Sequence, residues 1–476
     1  MAVKASGGPR LIPGSGGLVT ALRAVLSQRS GRWIGWTGAV AEDLPHADPL
    51  FEESSAREGF GLVPVTLTSA EKQGYYNGFS NEIVWPLFHD FPSLCRFEPR
   101  YWEAYRKVNR KFARAVAEKA GPQDLVWVHD YHLILMAWEL KQLGVSCRTA
   151  FFLHIPFPPP DLFRHLPWRV ELLHALLEHD LVGFQTPRDR ANFARCVSQL
   201  VPGAQIRGGE NAAKIRVGHR ETRVGVFPIS IDAVEFETRA GEASVLAKAM
   251  SLRQDEPGRK IVLGVDRLDY TKGIPDKLEA FRLLIKSRPD LAGKVTLFQI
   301  VVPSREEIPG YRDSKRYIDG LVGDINGELT RSGWVPIHYI YRSLEGPKLS
   351  AYYMAADVAF VTPLKDGMNL VAKEYCASRT REDGALVLSE FAGAAAELSC
   401  GALLVNPYDV EGVVDSLARA LSMPAEEQRT RMQALKARVR SNDLFRWLDS
   451  FMSASGAGKE PQRAPLASSA EEPAAS

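Results

Sequence analysis

Thr362-Pro-Leu-Lys-Asp-Gly-Met-Asn-Leu-Val-Ala-Lys-Glu374 follows Val358-Ala-Phe-Val361, a run that reads as a buried β-strand. It leads into Leu370–Ala377, where apolar residues recur at helical spacing among good helix formers. Between strand and helix, Asp366 and Gly367 make a tight turn, and glycine lets the backbone come close to a ligand. A strand, a glycine turn and a helix amino end together form a seat for phosphate, because free N–H groups and the positive end of the helix dipole meet there. A nucleotide sugar fits that geometry, although a plain βα turn has the same local pattern.

Working outward, the same alternation fills the chain. Extended runs at Lys260–Val265, Val295–Val301, Ile337–Tyr341, Val358–Val361, Ala385–Leu388 and Ala402–Val405 are separated mostly by helical patterns. The first half repeats the plan with Arg32–Trp36, Leu62–Thr66, Leu125–His129, Thr149–His154, Leu181–Thr186 and Arg223–Pro228. Helical patterns lie at Tyr101–Ala120, His132–Leu143 and Arg188–Leu200. The periodicity lapses over 228–244, which places a linker there. An α/β protein with two mainly parallel, doubly wound sheets follows. Its domains are expected at 1–235 and 236–442, with a helix at 443–454 and a disordered tail at 455–476 that has almost nothing to bury. Met1–Gly14 reads as strandless, so the first sheet lacks the opening strand that a βα unit needs.

The bulk composition excludes several classes of function. The chain has 476 residues, too many for one core, and 59 Lys plus Arg nearly balance 57 Asp plus Glu. No nucleic-acid or anionic-membrane partner is therefore expected. No apolar run approaches the roughly 20 residues that span a bilayer. Five scattered cysteines without a CxxC pair suit a reducing cytoplasm.

Ligands of open α/β sheets bind beyond the carboxyl ends of the strands. At those ends stand Asp266-Arg267-Leu-Asp-Tyr-Thr-Lys272-Gly273, Pro303-Ser304-Arg305, the turn with Asp366, and Ser389-Glu-Phe-Ala-Gly393. In the first half His129 and Asp130 follow one strand and His154 ends another. Singly, each has a plainer reading. Arg267 with Asp266 or Asp269 is open to being a loop salt bridge contributing only about 0–1 kcal/mol. His129 and His132 sit three apart without a third ligand at zinc spacing, so no metal is expected.

As a set, these residues resemble the retaining glycosyltransferases that make trehalose 6-phosphate. Further matching motifs are Gly16-Gly17-Leu, Trp33-Ile-Gly-Trp36, Tyr75-Tyr-Asn-Gly-Phe-Ser-Asn81 with Trp85-Pro86, Trp127-Val-His-Asp130-Tyr-His132 and Phe151-Phe-Leu-His154-Ile-Pro-Phe-Pro158, in the family's order from about residue 15 to 450. The resemblance implies two facing Rossmann-like domains of GT-B type. It implies a nucleotide-glucose donor, UDP-glucose first, glucose 6-phosphate as acceptor, and no cofactor or metal. It also implies a cytoplasmic enzyme of trehalose biosynthesis and osmoprotection that forms a dimer or tetramer. On the donor side it assigns Arg267 and Lys272 to the diphosphate and Glu374 to the ribose. Asp366 and His154 go to the glucose, and backbone near Leu344 to the base. Gly16, Gly17, Asn369, Leu370 and Val371 complete that pocket. On the acceptor side it assigns Tyr76, Trp85, Asp130 and Arg305.

The family begins with a strand ending in Ser-Asn-Arg, and Arg10 does not match it, so the phosphate-binding role is not transferred to Arg10. A start upstream of Met1 is expected in preference to a shortened, impaired chain, since every later motif is intact. Two other functions share these residues: transfer to glycerol 3-phosphate, and a ligand-sensing relative with little turnover.

Overall fold

The computed structural model describes residues 2–5, 8–11, 22–23, 26–27, 31–43, 48–305, 308–344 and 346–456. Two short ribbons come first. Strands β1 (Ala2–Ala5) and β2 (Gly8–Leu11) pair antiparallel, which corrects the expectation of a strandless amino end. Strands β3 (Arg32–Gly35) and β4 (Gly61–Pro64) pair parallel, and among the described residues neither ribbon is hydrogen-bonded to a larger sheet.

The first large sheet contains β5 (Leu125–His129), β6 (Arg148–Phe152), β7 (Leu181–Phe184), β8 (Gln205–Gly208), β9 (Ala212–Val217) and β10 (Arg220–Val226), in the order β5-β6-β7-β10-β9-β8. Its β5-β6-β7-β10 half is parallel, whereas β8, β9 and β10 form antiparallel hairpins. The sequence reading missed β8 and β9. Their burial alternates, with Ala213, Ile215 and the partly covered Ile206 and Val217 facing inward, as on a half-solvated edge.

The second sheet is parallel throughout: β11 (Lys260–Arg267), β12 (Val295–Val302), β13 (Ile337–Tyr341), β14 (Val358–Val361), β15 (Ala385–Ser389) and β16 (Leu403–Val405). Its order, β13-β12-β11-β14-β15-β16, is that of a doubly wound nucleotide-binding sheet. The winding direction reverses between β11 and β14, so the loops after those two strands open onto one crevice. That crevice is where the site assembles.

Each sheet has its own apolar core, and a third core spans both, joining Phe152, Leu181 and Phe227 to Ile261, Leu263 and Ala372. The returning helix Leu444–Ser455 is part of it. Its buried Trp447 and Phe451 pack on Trp127, with the Trp127 and Phe451 rings stacked at 4.4 Å. Residues 228–244, read as linker, contain the helix Ala233–Ala240, which packs against Leu370–Ser378 of the second domain.

Candidate active site

The stretch that opened the sequence reading folds as expected into strand, turn and helix. β14 ends at Val361 and the helix Leu370–Ser378 begins nine residues on, with Asn369 as its N-cap. The Asn369 side-chain oxygen accepts from the Ala372 N–H at 3.2 Å, and Asn369 takes a positive φ of 78° to do so. The other N–H groups of that first turn have no partner within the helix.

A neighbouring loop braces the turn. Asp366 N–H donates to Phe391 carbonyl, Gly393 N–H to Asp366 carbonyl and Ala394 N–H to Met368 carbonyl. Gly367 is required for a reason the sequence did not reveal. A Cβ there would strike the His154 carbonyl oxygen, so the glycine permits close approach of the other domain's backbone.

The loop after β11 meets this turn across the switch point. Leu364 N–H donates to Thr271 carbonyl at 2.8 Å, and Lys272 Nζ to Asp366 Oδ2 at 2.6 Å. Asn369 Nδ2 reaches the same Asp366 oxygen at 3.1 Å. Burial favours protonation of Asp366, but Lys272 and Arg267 outweigh it and hold the carboxyl below its ordinary range. Arg267 itself is exposed and forms no ion pair among the described residues. Asp266 is instead buried against Lys277 and Gln299, and Asp269 is turned toward Arg305, so the loop salt bridge considered for Arg267 does not form. Glu374, one turn into the helix, accepts from the Tyr353 hydroxyl at 2.7 Å, and burial raises its pKa. Leu344, Leu370 and Val371 are partly buried beside the same core. Gly16 and Gly17 lie outside the described residues.

The first domain supplies the opposite wall. The stretch holding Tyr76 is a broad π-type helix, Lys72–Val84, a form that concentrates at functional sites. It runs into Trp85. Arg305 stands 4.1 Å over the Trp85 ring and Arg267 5.7 Å from it, although both arginines belong to the second domain. Arg305 also reaches the Tyr311 hydroxyl at 2.6 Å, the Tyr131 hydroxyl at 3.2 Å and Asp269 at 3.4 Å. Tyr76 stacks on His132, which touches Tyr131 in turn.

Asp130 follows β5 with a φ of 72°, a conformation a non-glycine residue keeps only when its surroundings enforce it. Its Oδ1 accepts from the N–H groups of Tyr131 and His154, at 3.0 and 3.2 Å. Burial nevertheless pushes its pKa up to about 6, against those bonds and the nearby Arg305 and Arg267. His154 is held neutral, its pKa lowered to about 3 by burial, with its Nε2 3.1 Å from His129 Nδ1. His129 thus faces His154, not His132. No group of three or more metal-ligating side chains occurs among the described residues.

Two site residues were missed. His89, buried with its ring 4.1 Å from Trp85 and a pKa lowered to about 4 by burial, carried no signal in the sequence. Asp269 accepts from Trp85 Nε1 at 3.4 Å and from Tyr311 at 3.2 Å, and its place between Arg267 and Lys272 was the available clue. Anionic and cationic groups, a helix amino end and an aromatic wall therefore converge on one gap between two Rossmann-like domains.

The described geometry coincides with a family match over residues 8–455, the model being that of glycosyltransferase family 20. The chain belongs to that family. Among family 20 relatives, the trehalose-6-phosphate synthase of Mycolicibacterium gilvum is 45% identical over 452 residues, covering 94% of this chain and 89% of that protein. The bifunctional trehalose-6-phosphate synthase/phosphatase of Thermoproteus tenax is 44% identical over 470 residues, and the chain spans 62% of its length. The crystal structure of the UDP-forming α,α-trehalose-phosphate synthase from Burkholderia xenovorans, in complex with glucose-6-phosphate, superposes with a TM-score of 0.86 at 35% identity, covering 94% of this chain and 98% of that one.

Proposed function

We propose that this chain is an α,α-trehalose-phosphate synthase, transferring glucose from UDP-glucose to glucose 6-phosphate with retention of configuration. The observation that carries the reading is the meeting of Lys272, Asp366 and the helix start at Asn369 on the crevice where the second sheet reverses, facing Asp130, His154 and Trp85.

The chemistry follows from the placement. The bond from the anomeric carbon of the donor glucose to the diphosphate breaks, and negative charge builds on the departing UDP. Arg267, Lys272 and the N–H groups of the helix Leu370–Ser378 neutralise that charge, so the reading needs no metal ion or cofactor. Asp366 and His154 hold the glucose, and Glu374 the ribose. Leu344, Leu370 and Val371 line the rest of the donor pocket. Arg305 beside Trp85 and Tyr76 binds the acceptor phosphate. Asp130 accepts a hydrogen bond from the acceptor sugar. The acceptor's anomeric hydroxyl attacks on the face that UDP leaves and gives its proton to a diphosphate oxygen, yielding trehalose 6-phosphate and UDP. Protein groups position and stabilise charge; none serves as nucleophile.

The reading is tested by incubating the purified protein with UDP-glucose and glucose 6-phosphate and following UDP and trehalose 6-phosphate. Excess chelator should leave the rate unchanged, and a panel with glycerol 3-phosphate should show no comparable turnover. Failure to form either product rejects the proposal. A cytoplasmic location belongs to the same proposal and draws support from the cysteines, which form no disulfide among the described residues. Assembly as a dimer or tetramer is checked by light scattering.

A further inference from the structure

The helix Leu370–Ser378 carries a lysine that the transfer reaction does not employ. Lys373 is fully buried, and its ammonium donates to the Ile229 carbonyl at 2.9 Å and to Glu397 Oε2 at 2.5 Å. The other Glu397 oxygen accepts from Asn442 Nδ2 at 2.9 Å.

The partners are the two places where the chain passes between domains. β10 ends at Val226, and Ile229 N–H still bonds the Gln185 side chain of the first domain at 2.9 Å. Four residues later Ala233–Ala240 packs on the second domain. Asn442 precedes the return passage, in which Leu444 opens the helix that packs on Trp127 and Phe152. The passages are bonded to each other as well, Leu444 N–H donating to Ile231 carbonyl at 3.0 Å. Lys373 and Glu397 thus tie both interdomain passages to the helix whose start forms the donor seat. Glu374, assigned to the donor ribose, is the next residue.

A buried ion pair is by itself weak evidence for stability, since a well-packed apolar pair often does as well. This one makes directional bonds to separate segments, which an apolar pair cannot replace. We infer that Lys373 is a positioning residue that, with Glu397, couples the setting of the interdomain passages to donor binding. Any change in domain approach moves the Ile229 carbonyl and Asn442, and through them the register of residues 369–374 against the nucleotide. The inference rests on the donor-site reading above.

Hydrogen exchange of the wild-type protein with and without UDP is the decisive experiment. Coupling requires slower exchange in 369–374 together with 229–232 and 442–444, with β9 unchanged as control. Slowing confined to 369–374 overturns the coupling and leaves the donor site standing. No UDP binding overturns both. The double variant Lys373→Met with Glu397→Leu removes the charges as a pair and avoids stranding one of them. We expect a lowered melting temperature, because the Ile229 carbonyl and the Asn442 amide lose these partners, together with an unchanged acceptor KM and a donor KM raised about tenfold. A donor KM equal to wild type would show that the pair is only structural. If the variant does not fold, the exchange pattern of the wild type decides.

Discussion

Lys272 Nζ lies 2.6 Å from Asp366 Oδ2, bridging the loops that follow β11 and β14, 94 residues apart in the chain. Both side chains are largely shielded from water, so the pair holds the crevice in shape before any ligand arrives. Lys272→Met should cost about 3–4 kcal/mol of transition-state stabilisation, the usual loss for a group aimed at developing charge, read as a fall of several hundredfold in kcat/KM. A drop of less than tenfold would remove Lys272 from the diphosphate.

The same variant should alter acid stability. The folded pKa of Asp366 is lowered, and that of Asp269 likewise, where burial is outweighed by Arg305, Lys272 and Arg267. A carboxylate with a folded pKa below its unfolded value of about 3.9 contributes stability that is complete above that value and lost as pH falls through the folded pKa. Lys272→Met raises the folded pKa of Asp366, so urea midpoints should drop at neutral pH and lose less on acidification than those of wild type. Parallel curves for the two proteins would contradict the pairing.

Asp130 behaves in the opposite sense, its pKa being raised to about 6. Protonation removes the negative charge that strengthens its hydrogen bond from the acceptor hydroxyl. The acceptor phosphate also titrates near pH 6, so wild-type log kcat/KM for the acceptor should fall on the acid side with a slope approaching about two. In Asp130→Asn the slope should be about one, since only the substrate titrates. Equal slopes in both proteins would clear Asp130 of this role.

Arg305→Ala should separate acceptor from donor. A charge-assisted contact of about 1.5–3 kcal/mol corresponds to an acceptor KM raised roughly ten- to more than a hundredfold, with the donor KM little changed. The variant should also be less stable, because Asp269 is buried and loses its cation. An equal rise in both KM values would place Arg305 outside the acceptor pocket.

Gly367→Ala tests the domain contact. The added methyl meets main-chain atoms of His154 and Ile155 that cannot swing aside as a side chain would. Overpacking of this kind typically costs about 1–3 kcal/mol, and here it should also lower kcat by parting the turn from the first domain. Unchanged kcat would mean that the two domains work at greater separation than the structure holds them.

Much of the second domain was legible because its strands are buried on both faces and read as continuous apolar runs; all six expected runs became strands. The half-exposed hairpin strands β8 and β9 and the π-type helix Lys72–Val84 were not legible. Polar alternation over four to six residues, and a helix rich in Gly, Asn and Ser, leave no strong period to read. Arg267, Lys272 and Asp366 stood out by their positions at strand ends, whereas His89 lay in a stretch with no such landmark.

By itself the sequence determined the alternation of strands and helices, and with it two mainly parallel sheets, of which the second is doubly wound; periodicity is a local property that short-range burial dictates. Only the tertiary structure decided which charges pair. Proximity in the chain suggested Arg267 with Asp266 or Asp269, but folding gave Asp266 to Lys277 and Asp269 to Arg305, leaving Arg267 exposed toward the gap. It also decided what Gly367 is for and what Lys373 joins. Contacts between segments dozens or hundreds of residues apart depend on how the sheets face each other, which no local pattern encodes.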